Sequence, residues 1–119
     1  MGRILVIDDE PHIAELYSEF LSGKGYEVYT ANHGSDAAAY LENNNVSLVV
    51  SDFSYHGREE VEGYLKLHPN LPVIVVTSRY DDEEVRKMAR EDLHAREILP
   101  KPMPLSELSA AVKRHYQMD

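Results

Sequence analysis

The chain has no cysteine, little positive charge and no long apolar run near its start. The lack of cysteine excludes disulfides and thiol catalysis, and it agrees with a reducing compartment. The first apolar run, residues 4–7, ends at Asp8 and is too short for a signal-peptide core or a membrane-spanning helix. The sequence therefore predicts a cytoplasmic protein without membrane attachment.

Basic residues are outnumbered, with 12 Lys and Arg against 21 Asp and Glu, and the formal net charge is -9. Such a chain is repelled by nucleic acid, so direct nucleic-acid binding is not expected. A length of 119 residues suits one domain, and a hydrophobic content of 43% is too high for a disordered chain. Without a repeat or a Gly/Ser linker to divide it, residues 1–119 are predicted to form one domain.

Short apolar runs alternate with helical patterns along the chain. The predicted strands cover residues 4–7, 28–30, 46–52, 73–76 and 98–99. The predicted helices begin at Pro11, after a Ser35 N-cap, at Glu59, at Glu83 and after Pro104. This alternation predicts an α/β fold in which a doubly wound, five-stranded parallel sheet is covered by helices on both faces.

Polar side chains stand at the ends of four predicted strands. Asp8 and Asp9 follow the first strand, Asp52 closes the third, Thr77 follows the fourth and Lys101 lies just beyond the fifth. In parallel α/β sheets the functional crevice lies at the carboxyl ends of the strands. We therefore expect these five side chains to meet at one edge of the sheet.

This set of groups indicates a particular chemistry. Three neighbouring carboxylates repel one another unless a cation lies between them. Oxygen ligands suit a hard ion such as Mg²⁺, which commonly bridges carboxylates and phosphate oxygens. The Lys101 ammonium and the Thr77 hydroxyl are both suited to a phosphate group. The residues therefore predict a Mg²⁺-dependent site for a phosphoryl group carried by a carboxylate.

Asp8-Asp9-Glu10, Asp52, Thr77 and Lys101-Pro102, taken in this order at successive strand ends, resemble the receiver domain of two-component response regulators. The resemblance covers essentially the whole chain. It implies a flavodoxin-like fold with the strand order 2-1-3-4-5. It also implies a signalling domain, not an enzyme, that catalyses only its own phosphorylation and autodephosphorylation.

The resemblance further implies that Asp52 accepts a phosphoryl group from a sensor histidine kinase or a histidine phosphotransfer protein. The domain would then change its partner-binding surface within a two-component phosphorelay. The resemblance does not identify the downstream protein partner or output domain. It is compatible with a weak or phosphorylation-dependent homodimer.

Metal ligands also follow from the resemblance. Asp9 and Asp52 would ligate Mg²⁺ directly, Asp8 would act through a water molecule, and the Ser54 backbone carbonyl would complete the protein ligands. No other cofactor is implied.

The phosphoryl group would be held by further residues. Lys101 and Thr77 would each bind one phosphoryl oxygen, and backbone N–H groups near Phe53 and Ser78 would take the rest. The peptide bond before Pro102 is expected to be cis, which would aim Lys101 into the pocket.

Three features depart from the usual receiver pattern. Ile98 occupies a position that receivers usually fill with an aromatic switch residue, so we expect a muted surface change on phosphorylation. His94 replaces the usual glycine before the last strand, and we expect an irregular segment over residues 90–96. About three residues are missing between Asp52 and Thr77, so the third helix is predicted to be short or shifted.

Two other functions fit part of the pattern. A haloacid-dehalogenase-type phosphatase also uses an aspartate nucleophile, Mg²⁺, Thr or Ser and Lys, but its nucleophile lies on the first strand in an Asp-x-Asp-x-Thr pattern that is missing from residues 8–12. A flavodoxin-like cofactor binder would need a Ser-, Thr- or Gly-rich phosphate loop after the first strand, which this sequence lacks, and the three clustered carboxylates would repel a flavin phosphate.

Overall fold

The computed structural model describes residues 3–116, in which five strands alternate with five helices. The elements are β1 (Arg3–Ile7), α1 (Pro11–Gly23), β2 (Glu27–Ala31), α2 (Gly34–Asn43), β3 (Val46–Asp52), α3 (Arg58–Leu67), β4 (Val73–Thr77), α4 (Glu83–Asp92), β5 (Ala95–Pro100) and α5 (Leu105–His115). This confirms the predicted number and alternation of elements. Within residues 3–116, no helix is long and apolar enough to cross a bilayer.

The strands form one sheet in the order β2-β1-β3-β4-β5, and every neighbouring pair is parallel. This is the strand order that the resemblance implies. Because β3 lies between β1 and β4, the ends of these three strands are neighbours at the carboxyl edge.

The central strands are buried on both sides because alternate residues enter different apolar layers. Ile4 and Val6 of β1 pack with residues of α1 and α5, whereas Leu5 and Ile7 pack with residues of α2, α3 and α4. The helices thus cover both faces of the sheet, as the alternation predicts.

The start of α2 differs from the prediction. His33 is the N-cap residue and Gly34 begins the helix, so Ser35 lies inside the first turn and the predicted Ser35 cap is wrong. The reason is a tertiary contact, because the Gly34 N–H donates to the carbonyl of His56 at 2.7 Å. This bond satisfies one of the first four N–H groups of α2, which have no acceptor within the helix.

The connection before β5 also differs from the prediction. Helix α4 continues to Asp92 and β5 begins at Ala95, so the expected irregular segment over residues 90–96 is wrong. Leu93 is fully buried, which anchors the short connection. His94 then takes a left-handed conformation with φ of 57°. Helix α3 has 10 residues, as many as α2 and α4, so it is not shorter than its neighbours.

His94→Gly is expected to raise the free energy of unfolding by about 0.5–1 kcal/mol. A left-handed backbone costs a residue with a Cβ about 1–2 kcal/mol, and the greater freedom of glycine in the unfolded chain offsets part of this gain. Urea denaturation followed by circular dichroism measures the change. His94→Ala is the control, since alanine keeps the Cβ and should bring no gain; equal stability of both variants would contradict the explanation.

Candidate functional site

Three carboxylates meet where β1 and β3 end. Ile7 is the register partner of Ser51, so the residues that follow each, Asp8 and Asp52, come out side by side. One carboxylate oxygen from each of Asp8, Asp9 and Asp52 lies within 4.8 Å of the others. Asp8 is buried, Asp52 is half-buried and Asp9 is exposed. The cluster therefore opens to solvent on the side of Asp9.

Lys101 reaches this cluster from the segment after β5. Its Nζ lies 2.8 Å from Oδ2 of Asp8 and 3.5 Å from Oδ1 of Asp52. The Lys101–Pro102 peptide bond is cis, as the resemblance implies, and the Lys101 N–H donates to the Thr77 carbonyl at 2.9 Å. Burial alone would lower the pKa of Lys101, but the hydrogen bond to Asp8 and the charge of Asp52 outweigh it and raise that pKa.

Asp52 has a strongly raised pKa. Burial raises its pKa to about 6; Lys101 opposes this shift, while the negative charges of Asp8 and Asp9 add to it. The Lys101 charge does not cancel the shift because Lys101 lies closer to Asp8 than to Asp52. A cation bound beside Asp52 would favour its ionised form.

Asp8 is held by contacts to both of its oxygens. Oδ2 accepts from Lys101, and Oδ1 accepts from the Glu10 backbone N–H at 3.0 Å. Its own carbonyl accepts from the Asn32 side chain at 2.8 Å, which ties the end of β1 to the loop after β2. Asp9 and Asp52 therefore offer the more available oxygens for direct coordination of a metal.

Thr77 ends β4 at the same edge of the sheet. It is buried, and the preceding residue, Val76, is the register partner of Asp52. The Thr77 hydroxyl accepts a hydrogen bond from the Arg79 N–H at 3.0 Å, which closes a local turn. Ser54 is exposed in the β3–α3 loop. The structure thus brings Asp8, Asp9, Asp52 and Lys101 into one cluster and places Thr77 at the adjoining strand end.

Sequence reasoning missed two residues that contact this region. Asn32 holds the backbone of Asp8, and Arg58 contacts Phe53, the residue after Asp52. Arg58 forms an ion pair with Glu62, four residues further along α3. This spacing is visible in the sequence, but such pairs are common on helix surfaces and do not indicate a site. No sequence pattern connects Asn32 with Asp8.

The sequence matches the family described as the response regulator receiver domain over residues 4–113. The chain belongs to this family. It is a phosphoacceptor signalling domain of the two-component type, which confirms the predicted fold and function. The haloacid-dehalogenase alternative receives no support from the match.

Solved structures agree with the assignment. This receiver domain is similar to a CheY-like response regulator receiver domain protein from Methanospirillum hungatei, with a TM-score of 0.85, 28% identity and coverage of 96% of this chain and 92% of that one. It is also similar to the response regulator TrrA from Thermotoga maritima, solved in complex with Mg(2+)-BeF, with a TM-score of 0.79, 32% identity and coverage of 96% and 98%. The chemotaxis protein CheY4 from Vibrio cholerae has a TM-score of 0.83, 25% identity and coverage of 97% and 98%.

Proposed function

We propose that Asp52 is the phosphoacceptor of this receiver domain and that its donor is a phosphohistidine on a sensor histidine kinase or a phosphotransfer protein. The main support is the position of the Asp52 carboxylate, which lies within the acidic cluster and 3.5 Å from Lys101. Its half-buried location also suits a nucleophile that a bulky donor must reach. The cytoplasmic location expected from the sequence belongs to the same proposal.

Phosphoryl transfer requires Asp52 in its ionised form. A carboxylate oxygen of Asp52 attacks phosphorus, a P–O bond forms, the P–N bond to the donor histidine breaks, and the imidazole leaves with the bonding electrons. Lys101 neutralises one phosphoryl oxygen, and the Thr77 hydroxyl would turn from the Arg79 N–H to bind another. The Phe53 N–H, which donates to Asp52 at 2.9 Å, would take a third oxygen.

The residues of the acidic cluster fit Mg²⁺, because all of them offer hard oxygen donors and because their mutual repulsion calls for a cation. Bound Mg²⁺ supplies charge neutralisation to the transferred phosphoryl group. Asp9 and Asp52 would hold the ion directly, together with the carbonyl of Ser54. Asp8 would act through water, since Lys101 and Glu10 already occupy its oxygens.

Incubation with acetyl phosphate and Mg²⁺, followed by intact-mass measurement, tests the proposal. We expect one phosphoryl group per chain, no adduct when EDTA removes Mg²⁺, and no adduct in Asp52→Asn. Asp36→Asn removes an exposed carboxylate from the first turn of α2 and should leave the adduct unchanged. Steady turnover of small phosphoesters without a stable adduct would instead favour a phosphatase.

The response of the surface to phosphorylation is expected to be muted. Ile98 is half-buried and packs against the layer that contains Val85 and Ala89 of α4, but it has no polar tip and no ring to reorient. We therefore expect beryllofluoride with Mg²⁺ to produce large amide shifts at the carboxyl edge and small ones in α4. Relaxation-dispersion NMR checks this, and a large displacement of α4 would contradict it.

A further inference from the structure

One arginine holds the residue next to Asp52 at two points. Arg58 is the first residue of α3, and its Nη1 donates to the carbonyl oxygen of Phe53 at 3.0 Å. Its guanidinium carbon also lies 4.7 Å from the centre of the Phe53 ring. Phe53 is only 5% exposed, so its ring is packed in the core while Arg58 holds its backbone from the outside. One contact therefore holds the Phe53 backbone carbonyl, and the other packs against its ring.

Glu62 fixes the orientation of Arg58. The Arg58 Nε lies 2.7 Å from Oε2 of Glu62, one helical turn further along α3. The side chains are 22% and 28% exposed, so the pair is partly shielded from water. Because a guanidinium is planar and presents its donors in a rigid fork, binding Glu62 through Nε determines where Nη1 points. In this orientation Nη1 points at the carbonyl oxygen of Phe53.

The backbone that Arg58 holds is that of Phe53, the residue directly after Asp52 of the acidic cluster. The Phe53 N–H donates to Oδ1 of Asp52 at 2.9 Å, and the carbonyl held by Arg58 is in the peptide that joins Phe53 to Ser54. From Phe53 to Gly57 the chain forms no helix or strand, and Gly57 has φ of 81°. Ladder hydrogen bonds therefore do not fix this segment, and Arg58 supplies a brace in their place.

We infer that Arg58 is a positioning residue for phosphoryl transfer to Asp52. It holds the Phe53 carbonyl so that the N–H of the same residue stays directed at the Asp52 carboxylate. The same brace sets the path of the chain into Ser54, whose carbonyl is the proposed metal ligand. The inference rests on the proposed function of Asp52.

Arg58→Met tests the inference, since methionine keeps an unbranched apolar stem and removes every donor. We expect the rate constant of phosphorylation by acetyl phosphate at saturating Mg²⁺ to fall about tenfold, because small displacements of positioned groups have large effects on rate. Arg58→Lys keeps the charge and loses the rigid fork, so it should recover only part of the rate. Phe53 amide hydrogen exchange, measured by NMR without a phosphodonor, should become about tenfold faster in Arg58→Met.

Arg3→Met is the matched control. Arg3 also pairs with a glutamate, Glu27, at 3.0 Å, but it lies at the opposite end of β1 from Asp8. We expect its phosphorylation rate and Phe53 exchange to equal those of the wild type. An unchanged rate in Arg58→Met, or an equal loss in Arg3→Met, would overturn the inference. If the wild type forms no adduct, the proposed function fails, and unchanged Phe53 exchange in Arg58→Met would then separately overturn the role of Arg58.

Discussion

Asp52→Asn is expected to form no phosphoryl adduct and, in Mg²⁺-free buffer at pH 7, to be more stable than the wild type. The loss of the adduct follows because an amide cannot act as the nucleophile. The gain in stability follows because the ionised Asp52 is buried beside Asp8 and Asp9, which raises its pKa to about 6 from an ordinary value of 3.8. A shift of this size corresponds to at most about 3 kcal/mol, and we expect about 1–2 kcal/mol because Asn loses part of the contact with Lys101.

The stability difference between Asp52→Asn and the wild type should depend on pH. Between about pH 4 and pH 6, the folded wild type binds a proton at Asp52 that the unfolded chain has already released. The contribution of Asp52 to stability therefore decreases as the pH rises through this range and is constant above it. Asp52→Asn removes this contribution, so the difference in unfolding free energy between variant and wild type should grow from pH 4 to pH 7.

Urea denaturation in EDTA at several pH values measures this difference. Asp36→Asn is again the control, since it removes an exposed carboxylate that is not one of the three in the acidic cluster, and it should not reproduce the gain in stability at pH 7. Added Mg²⁺ should stabilise the wild type more than Asp52→Asn, because the variant loses a carboxylate of the cluster. A variant less stable than the wild type at pH 7 without Mg²⁺ would show that the attraction of Lys101 outweighs both the burial of Asp52 and its repulsion from Asp8 and Asp9.

Gly34→Ala is expected to lower the free energy of unfolding by about 3 kcal/mol or more, at the upper end of what single substitutions do. A Cβ added to Gly34 would lie 1.8 Å from the carbonyl oxygen of Gly57 and 2.2 Å from its carbonyl carbon. These atoms are backbone, so no side chain can rotate away, and the α2 start and the β3–α3 loop must separate. That movement also breaks the hydrogen bond from the Gly34 N–H to the His56 carbonyl.

Gly63→Ala is the matched control for this prediction. Gly63 lies within α3, and apart from the adjoining residues and backbone of that helix, a Cβ there would meet no atom within 4 Å. Alanine in a helix interior is favoured over glycine, so we expect Gly63→Ala to raise stability by about 0.5–1 kcal/mol. Thermal or urea denaturation followed by circular dichroism compares the two variants. If Gly34→Ala unfolds at the same urea concentration as the wild type, the close approach of Gly34 and Gly57 does not constrain the fold.

Gly34→Ala should affect the site as well as the fold. Gly57 closes the loop that begins beside Asp52, so a displaced Gly57 moves the chain between Phe53 and α3. We expect slower phosphorylation of any folded Gly34→Ala protein at a temperature where Gly63→Ala reacts normally.

The strand ends were predictable because they depend on local pattern and a general rule of topology. An apolar run that ends in Asp8 or Asp52 gives a buried strand with a carboxylate at its end, and parallel pairing brings such ends to one edge. The cap of α2 was not predictable in this way. Ser35 has good cap chemistry, but the contact between Gly34 and the loop at His56 and Gly57 starts the helix earlier.

The amino-acid sequence by itself determined the class of fold, the members of the acidic cluster and the receiver chemistry, since each depends on residue type and order along the chain. Only the tertiary structure decided which carboxylate lies nearest the Lys101 ammonium and which residues hold the backbone of the site in position. Lys101 lies closer to Asp8 than to Asp52, Asn32 binds the Asp8 backbone, and Arg58 holds Phe53. The physical reason is that these contacts depend on distances of a few ångströms between separate elements, which packing sets and local sequence pattern does not encode.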